Sequence, residues 1–132
     1  MAENNMYKEG ERNFRKLFGD ARVDPVLNNV NQFDDEFHRF LLEYCFGELW
    51  GREGLPWKQR SLNNLCLLIG LNRPNEYETH LRGAVRNGCT MEEIKETLLQ
   101  VTVYAGIPAG AEAFKIANKV FEEEGVNVNG DA

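Results

Sequence analysis

What the 132-residue chain lacks narrows it first. It has three cysteines, Cys45, Cys66 and Cys89, an odd number set far apart, and it contains no C-x-x-C. A secreted disulfide scaffold carries an even, closely spaced set, and a dithiol redox centre needs two neighbouring thiols. Cys45 and Cys66 lie in apolar surroundings and read as core thiols. Only two histidines occur, His38 and His80, and neither completes a short-spaced cluster of the kind zinc requires, so no metal is expected. Positive charge is short as well. Fifteen Lys+Arg against 21 Asp+Glu give a net charge of −6, which argues against nucleic acid as a partner. The longest apolar stretch, Leu65 to Leu71, is interrupted by Gly70 and falls well below the roughly 20 residues that span a bilayer. The opening Met-Ala-Glu-Asn-Asn has neither the basic flank nor the apolar run of a secretory signal. A cytoplasmic protein that does not enter the membrane is expected.

What is present is helical. Hydrophobic residues make up 42% and charged residues 27%, a composition that folds. No run alternates long enough to predict a strand, so the expected class is all-α, a single compact domain of about six helices over residues 1–132. The periodicity predicts helices at Met6 to Phe18, with Phe14, Leu17 and Phe18 on one face, and at Asn31 to Leu49, with Phe33, Phe37, Phe40, Leu41, Tyr44 and Leu49 on another. Gly19-Asp20 reads as a stop and Asp24-Pro25 as a turn. Further helices are predicted at Trp57 to Leu71, Pro74 to Arg86 and Met91 to Tyr104; Ala105-Gly106-Ile107-Pro108 reads as a break, and a last helix runs to about Glu124. Asn87-Gly88 supplies a left-handed stop, and Thr90-Met91-Glu92-Glu93 a capping box. Residues 126–132, rich in Asn and Gly, read as a frayed tail.

Aromatic residues crowd one end. Phe14, Phe18, Phe33, Phe37, Phe40, Phe46, Trp50 and Trp57 all precede residue 58. A chain of this size buries only about 68% of its unfolded surface alone, so a subunit interface would cover such a set better than a monomer.

Two clusters carry candidate chemistry. In Arg73-Pro74-Asn75-Glu76-Tyr77-Glu78-Thr79-His80, helical spacing puts Arg73, Glu76 and His80 on one face. Glu76 four residues before His80 would favour the imidazolium, raise its pKa and make it a proton donor near neutral pH. The competing reading is an ordinary solvated Glu–His–Arg face. Around the glycine-hinged loop Glu48-Leu49-Trp50-Gly51-Arg52-Glu53-Gly54-Leu55, followed by Arg60-Ser61-Leu62, two guanidinium groups, carboxylates and an indole come together. Arginine suits carboxylate capture and Trp50 could wall a flat substrate; alternatively the arginines only neutralise Glu48 and Glu53. Val103-Tyr104-Ala105-Gly106-Ile107-Pro108-Ala109 offers the Tyr104 hydroxyl as a donor, or simply close helix packing.

The ordered segments Phe46-Gly47-Glu48-Leu49-Trp50-Gly51-Arg52, Arg60-Ser61-Leu62, His80-Leu81-Arg82-Gly83-Ala84, Asn87-Gly88-x-Thr90-x-x-Glu93 and Val103-Tyr104-Ala105-Gly106-x-Pro108-Ala109 resemble the carboxymuconolactone decarboxylase family over about residues 10 to 122. That family has an alkylhydroperoxidase-like branch, whose redox cysteines would fall on Arg73 and Glu76 and which tends to carry a glutamate at Ser61. Neither Arg73 nor Glu76 forms a thiolate, so the resemblance points to the decarboxylase branch. Glu53, Cys89 and Gln100 depart from the decarboxylase pattern, which bears on substrate more than on fold.

The resemblance implies conversion of 4-carboxymuconolactone to 3-oxoadipate enol-lactone and CO₂, a step of aromatic-compound breakdown, with no cofactor. The substrate supplies its own electron sink, because the electrons left by CO₂ pass through the ring alkene into the lactone carbonyl. It further implies Arg52 and Arg60 as carboxylate binders, Trp50 and Tyr104 as pocket residues, His80 as proton source with Glu76 or Glu48 setting its charge, and a homohexamer built as a trimer of dimers. The alternatives are a hydroperoxidase-type oxidoreductase and a non-catalytic oligomeric member of the family.

Overall fold

A computed structural model of the chain describes residues 5–130, and all its regular structure there is helical. The opening Met1-Ala2-Glu3-Asn4, read above for a signal, and the last two residues of the expected tail lie outside the described residues. The helices gather into two compact units, one ending at Pro56 and one beginning at Trp57.

In the first unit, α1 spans Asn5–Phe18 and buries Phe14, Leu17 and Phe18, the predicted face. Gly19, at φ 85°, ends α1 as expected, and a second helix, α2, follows at once at Asp20–Asn28. The expected turn at Asp24-Pro25 is therefore part of a helix. Arg15 holds the two helices together, pairing with Glu11 at 3.0 Å, Asp20 at 2.9 Å and Asp24 at 2.7 Å.

The predicted helix from Asn31 to Leu49 differs most. A short α3, Asp35–Phe40, passes into a π-helical segment, Leu41–Leu49, which ends with the Trp50 N–H donating to the Cys45 carbonyl five residues back at 3.0 Å. Its wider turn changes which side chains face inward. Leu42, Phe46 and Trp50, four apart, are buried, whereas Phe33, Phe37, Phe40 and Tyr44 of the predicted inner face are 97, 62, 61 and 73% exposed. The cause is backbone packing. A Cβ on Gly10 of α1 would overlap the Leu42 carbonyl, and one on Gly47 would overlap the Met6 carbonyl and side chain. Two glycines thus let α1 seat directly on the π-helical backbone and fix its rotation. Asn13 seals the contact by donating to the Phe46 carbonyl at 2.8 Å. The core is an aromatic stack: Phe46 lies against Phe14 at 4.6 Å and Trp50 at 6.2 Å between ring centres.

The second unit follows its sequence closely. Its helices are α4 (Trp57–Gly70), α5 (Pro74–Arg86), α6 (Met91–Ala105) and α7 (Ile107–Glu123). Pro74 starts α5 where its missing N–H costs no hydrogen bond. Gly88 (φ 85°) ends α5, and Gly106 (φ 107°) separates α6 from α7. The capping box is present, the Glu93 N–H donating to Thr90 Oγ1 at 3.0 Å and the Thr90 N–H to Glu93 Oε1 at 2.8 Å. Leu65, Leu81, Ile94, Leu98 and Val120 form an aliphatic core with Tyr77, whose hydroxyl donates to the Ala113 carbonyl at 2.8 Å. Residues 126–130 form a turn in which Asn127 Nδ2 donates to the Gly130 carbonyl at 2.7 Å, and Val126 packs on the core.

Candidate active site

The chemistry-bearing residues of the second unit sit where α4 and α5 pair. Ser61 is fully buried on α4, and its Oγ accepts from Asn87 Nδ2, at the end of α5, at 2.8 Å. This half-buried bond fixes how the two helices are rotated against each other. One turn further along α4, Asn64 meets His80 of α5, with Asn64 Nδ2 3.4 Å from His80 Nδ1. Arg60 stands four residues before Asn64, hence on the same side of α4. Its Nε is buried and has no hydrogen-bond partner. A buried cationic donor without a partner is costly in an empty site and fits an anionic oxygen in a filled one.

His80 corrects one expectation. Glu76 does favour the imidazolium, but burial of the ring outweighs it and pushes the His80 pKa down to about 4. At neutral pH the ring is therefore an uncharged donor and acceptor rather than an imidazolium. Glu76 is exposed on α5, and Arg73 is the N-cap residue just before that helix rather than part of it (φ −117°, ψ 72°).

Tyr104 lies elsewhere in this unit. It is 86% exposed and lines a groove of about 630 Å³ between α4 and α6, together with Gln59, Asn63, Cys66 and Gln100. Neither His80 nor Arg60 lines that groove. Cys66 is thus a half-buried groove residue rather than a core thiol, and Cys45 is likewise only half-buried. Burial pushes all three thiols up, which makes them poor thiolates at neutral pH.

The remaining predicted residues belong to the first unit. Glu48 and Arg52 pair with each other at 3.2 Å in an exposed i,i+4 contact, the neutralising arrangement weighed above. Trp50 is buried and stacked on Phe46, a member of the aromatic core of its unit.

Sequence reasoning missed Asn64. An asparagine inside a helix gives no periodic signal, and only its register against α5 reveals the contact with His80. It also missed the cluster around Arg82. Buried on α5, Arg82 donates to Glu78 at 3.2 Å, to Glu124 at 3.0 Å and to Glu123, while Lys119 pairs with Glu78 at 3.2 Å.

Comparison with known proteins finds relatives among decarboxylases. The model of the carboxymuconolactone decarboxylase family matches residues 35–119. The chain is 36% identical over 126 residues to a 4-carboxymuconolactone decarboxylase of Acinetobacter baylyi, which covers 96% of this chain and 94% of that one. It is 35% identical over 118 residues to a nitrosuccinic acid decarboxylase of Metarhizium robertsii, covering 89% and 82% respectively.

Proposed function

Because the chain belongs to the carboxymuconolactone decarboxylase family, we propose that it is a carboxy-lyase that releases CO₂ from 4-carboxymuconolactone and yields 3-oxoadipate enol-lactone. The observation that carries this reading is the similarity to a decarboxylase of that substrate along nearly the whole of both chains. The reaction calls for three things: an anchor for carboxylate, stabilisation of the oxyanion left by CO₂, and a proton for a ring carbon. Arg60, with a buried guanidinium nitrogen in want of an acceptor, anchors a substrate carboxylate. His80 supplies the proton as a neutral imidazole, and Glu76 tempers the loss of its basicity.

The second relative favours a neighbouring reading, decarboxylation of a nitro-substituted dicarboxylic acid. The chemistry is of one kind, since a nitro group, like the lactone carbonyl, accepts the electron pair that CO₂ leaves behind. Incubating the full chain with each compound decides between them. We expect CO₂ release and loss of ring absorbance with the lactone; release from the nitro acid alone would replace the substrate, and release from neither would overturn decarboxylation. His80→Ala should lower kcat by about 10²-fold or more with helical circular dichroism intact.

The aromatic side chains left exposed on and beside α3, Phe33, Phe37, Phe40 and Tyr44, support self-association. We propose that this face joins copies of the chain in a homohexamer, and that the enzyme works in the cytoplasm. No helix among the described residues is long and apolar enough to cross a membrane.

A further inference from the structure

We propose that Asn64 is a positioning residue, whose side-chain amide donates to Nδ1 of His80 and holds the imidazole with its single proton on Nε2, the nitrogen that serves the substrate. The chemical role rests on the decarboxylase reading; the placement of the proton does not.

The half-buried Ser61–Asn87 bond locks α4 against α5, and this brings Asn64 Nδ2 to His80 Nδ1 at 3.4 Å. Both residues are half-buried, so water competes weakly for that contact. A neutral imidazole has one N–H and one acceptor nitrogen. When Nδ1 accepts from an amide, the proton resides on Nε2. A doubly protonated ring would set N–H against N–H at this contact, so the amide opposes the imidazolium in the same sense that burial does. Glu76 is the charged group that favours it.

This arrangement suits proton delivery to a carbanion. The bond from the ring carbon to the carboxylate breaks, CO₂ leaves, and the electron pair moves through the alkene into the lactone carbonyl. As the enolate collapses, the carbon beside that carbonyl takes the proton from Nε2. The ring passes transiently to imidazolate, in which Nδ1 bears more negative charge and holds the Asn64 N–H more strongly. Water then restores the proton to Nε2, so each turnover consumes one solvent proton and releases one CO₂. An asparagine therefore stabilises the donor both before and after it gives up its proton, as a carboxylate at this position would not.

Nitrogen NMR of the ¹⁵N-histidine-labelled full chain at pH 7 tests the proposal, with His38 assigned by its loss in His38→Asn. We expect a pyrrole-like Nε2 and a pyridine-like Nδ1 for His80 in the wild type. Asn64→Asp, which puts an acceptor at Nδ1, should move the proton to Nδ1, raise the His80 pKa by more than about one unit and lower kcat at least about tenfold. Asn64→Leu, which removes the donor alone, should populate both tautomers and lower kcat with little change in KM; it carries the test if Asn64→Asp does not fold. A wild-type His80 protonated on Nδ1 or on both nitrogens overturns the proposal, as does an unchanged tautomer in a folded Asn64→Asp protein. If the spectra behave as expected while the wild type releases CO₂ from neither the lactone nor the nitro acid, the tautomer assignment stands and the decarboxylase reading falls.

Discussion

The first unit buries rings and brings backbones into contact; the second buries branched aliphatic side chains between regular helices. In the first, Gly10 and Gly47 admit a backbone crossing, and the π-helical segment Leu41–Leu49 sets which residues turn inward. In the second, Leu65, Leu81, Ile94, Leu98 and Val120 interdigitate, and caps and glycine stops set the helix limits. The lesson is that side-chain periodicity governs a helix only while side chains set the spacing between elements. Where two backbones touch, absence of a Cβ decides the rotation and the hydrophobic stripe follows, even onto the surface.

That contrast is open to experiment. The largest effect should come from Gly10→Ala. Its new methyl group meets a carbonyl that has no rotamer to escape to, and we expect a loss of at least about 3 kcal/mol in urea unfolding. Gly70→Ala is the control in the second unit, where a new Cβ meets nothing within 4 Å; a change within about 1 kcal/mol is expected there. Equal losses at the two sites would break the distinction drawn here.

Next in size is the acid response of the second unit. His80 has a folded pKa of about 4 against an ordinary value of 6.5, so between these values the unfolded chain binds more protons. Stability contributed by the neutral ring is complete above pH 6.5 and falls as the pH drops toward 4, by about 3 kcal/mol in all. His80→Gln should flatten that part of the stability–pH curve, as read by urea titration at each pH. A variant curve parallel to the wild type would show that another group governs the acid loss.

The smallest expected change in stability, within about 0.5 kcal/mol, is that of Phe37→Ser on the exposed face of α3. Its effect should fall on association instead, lowering the assembly state seen by sedimentation. An unaltered sedimentation profile would remove this face from the proposed interface.

The second unit was largely legible in its sequence, because its punctuation is local. Thr90 and Glu93 are three residues apart and bond each other, and Gly88 adopts the positive φ that its place after Asn87 suggests. The first unit was less so. The stripe Phe33, Phe37, Phe40, Tyr44 has a helical period that the structure places outside, because a crossing set by Gly10, more than twenty residues earlier in the chain, leaves no trace in that period. Of the candidate site, Arg60, Glu76 and His80 could be named from residue type and spacing, whereas the sign of the His80 shift could not. Glu76 is close in sequence and its influence is easily seen; burial comes from tertiary neighbours and is larger. Asn64 was hidden for the same reason.

The clamp on Arg82 has a consequence for the order of events during synthesis. Phe14, Phe18, Phe46 and Trp50 meet one another within the first unit, so these ring contacts can form while later residues are still in the ribosome. The guanidinium of Arg82, by contrast, meets Glu123 and Glu124 only after the end of α7 has emerged. Until then α5 carries a cation destined for burial and lacking two of its three counter-charges, and the second unit completes itself late, from its distal end inward.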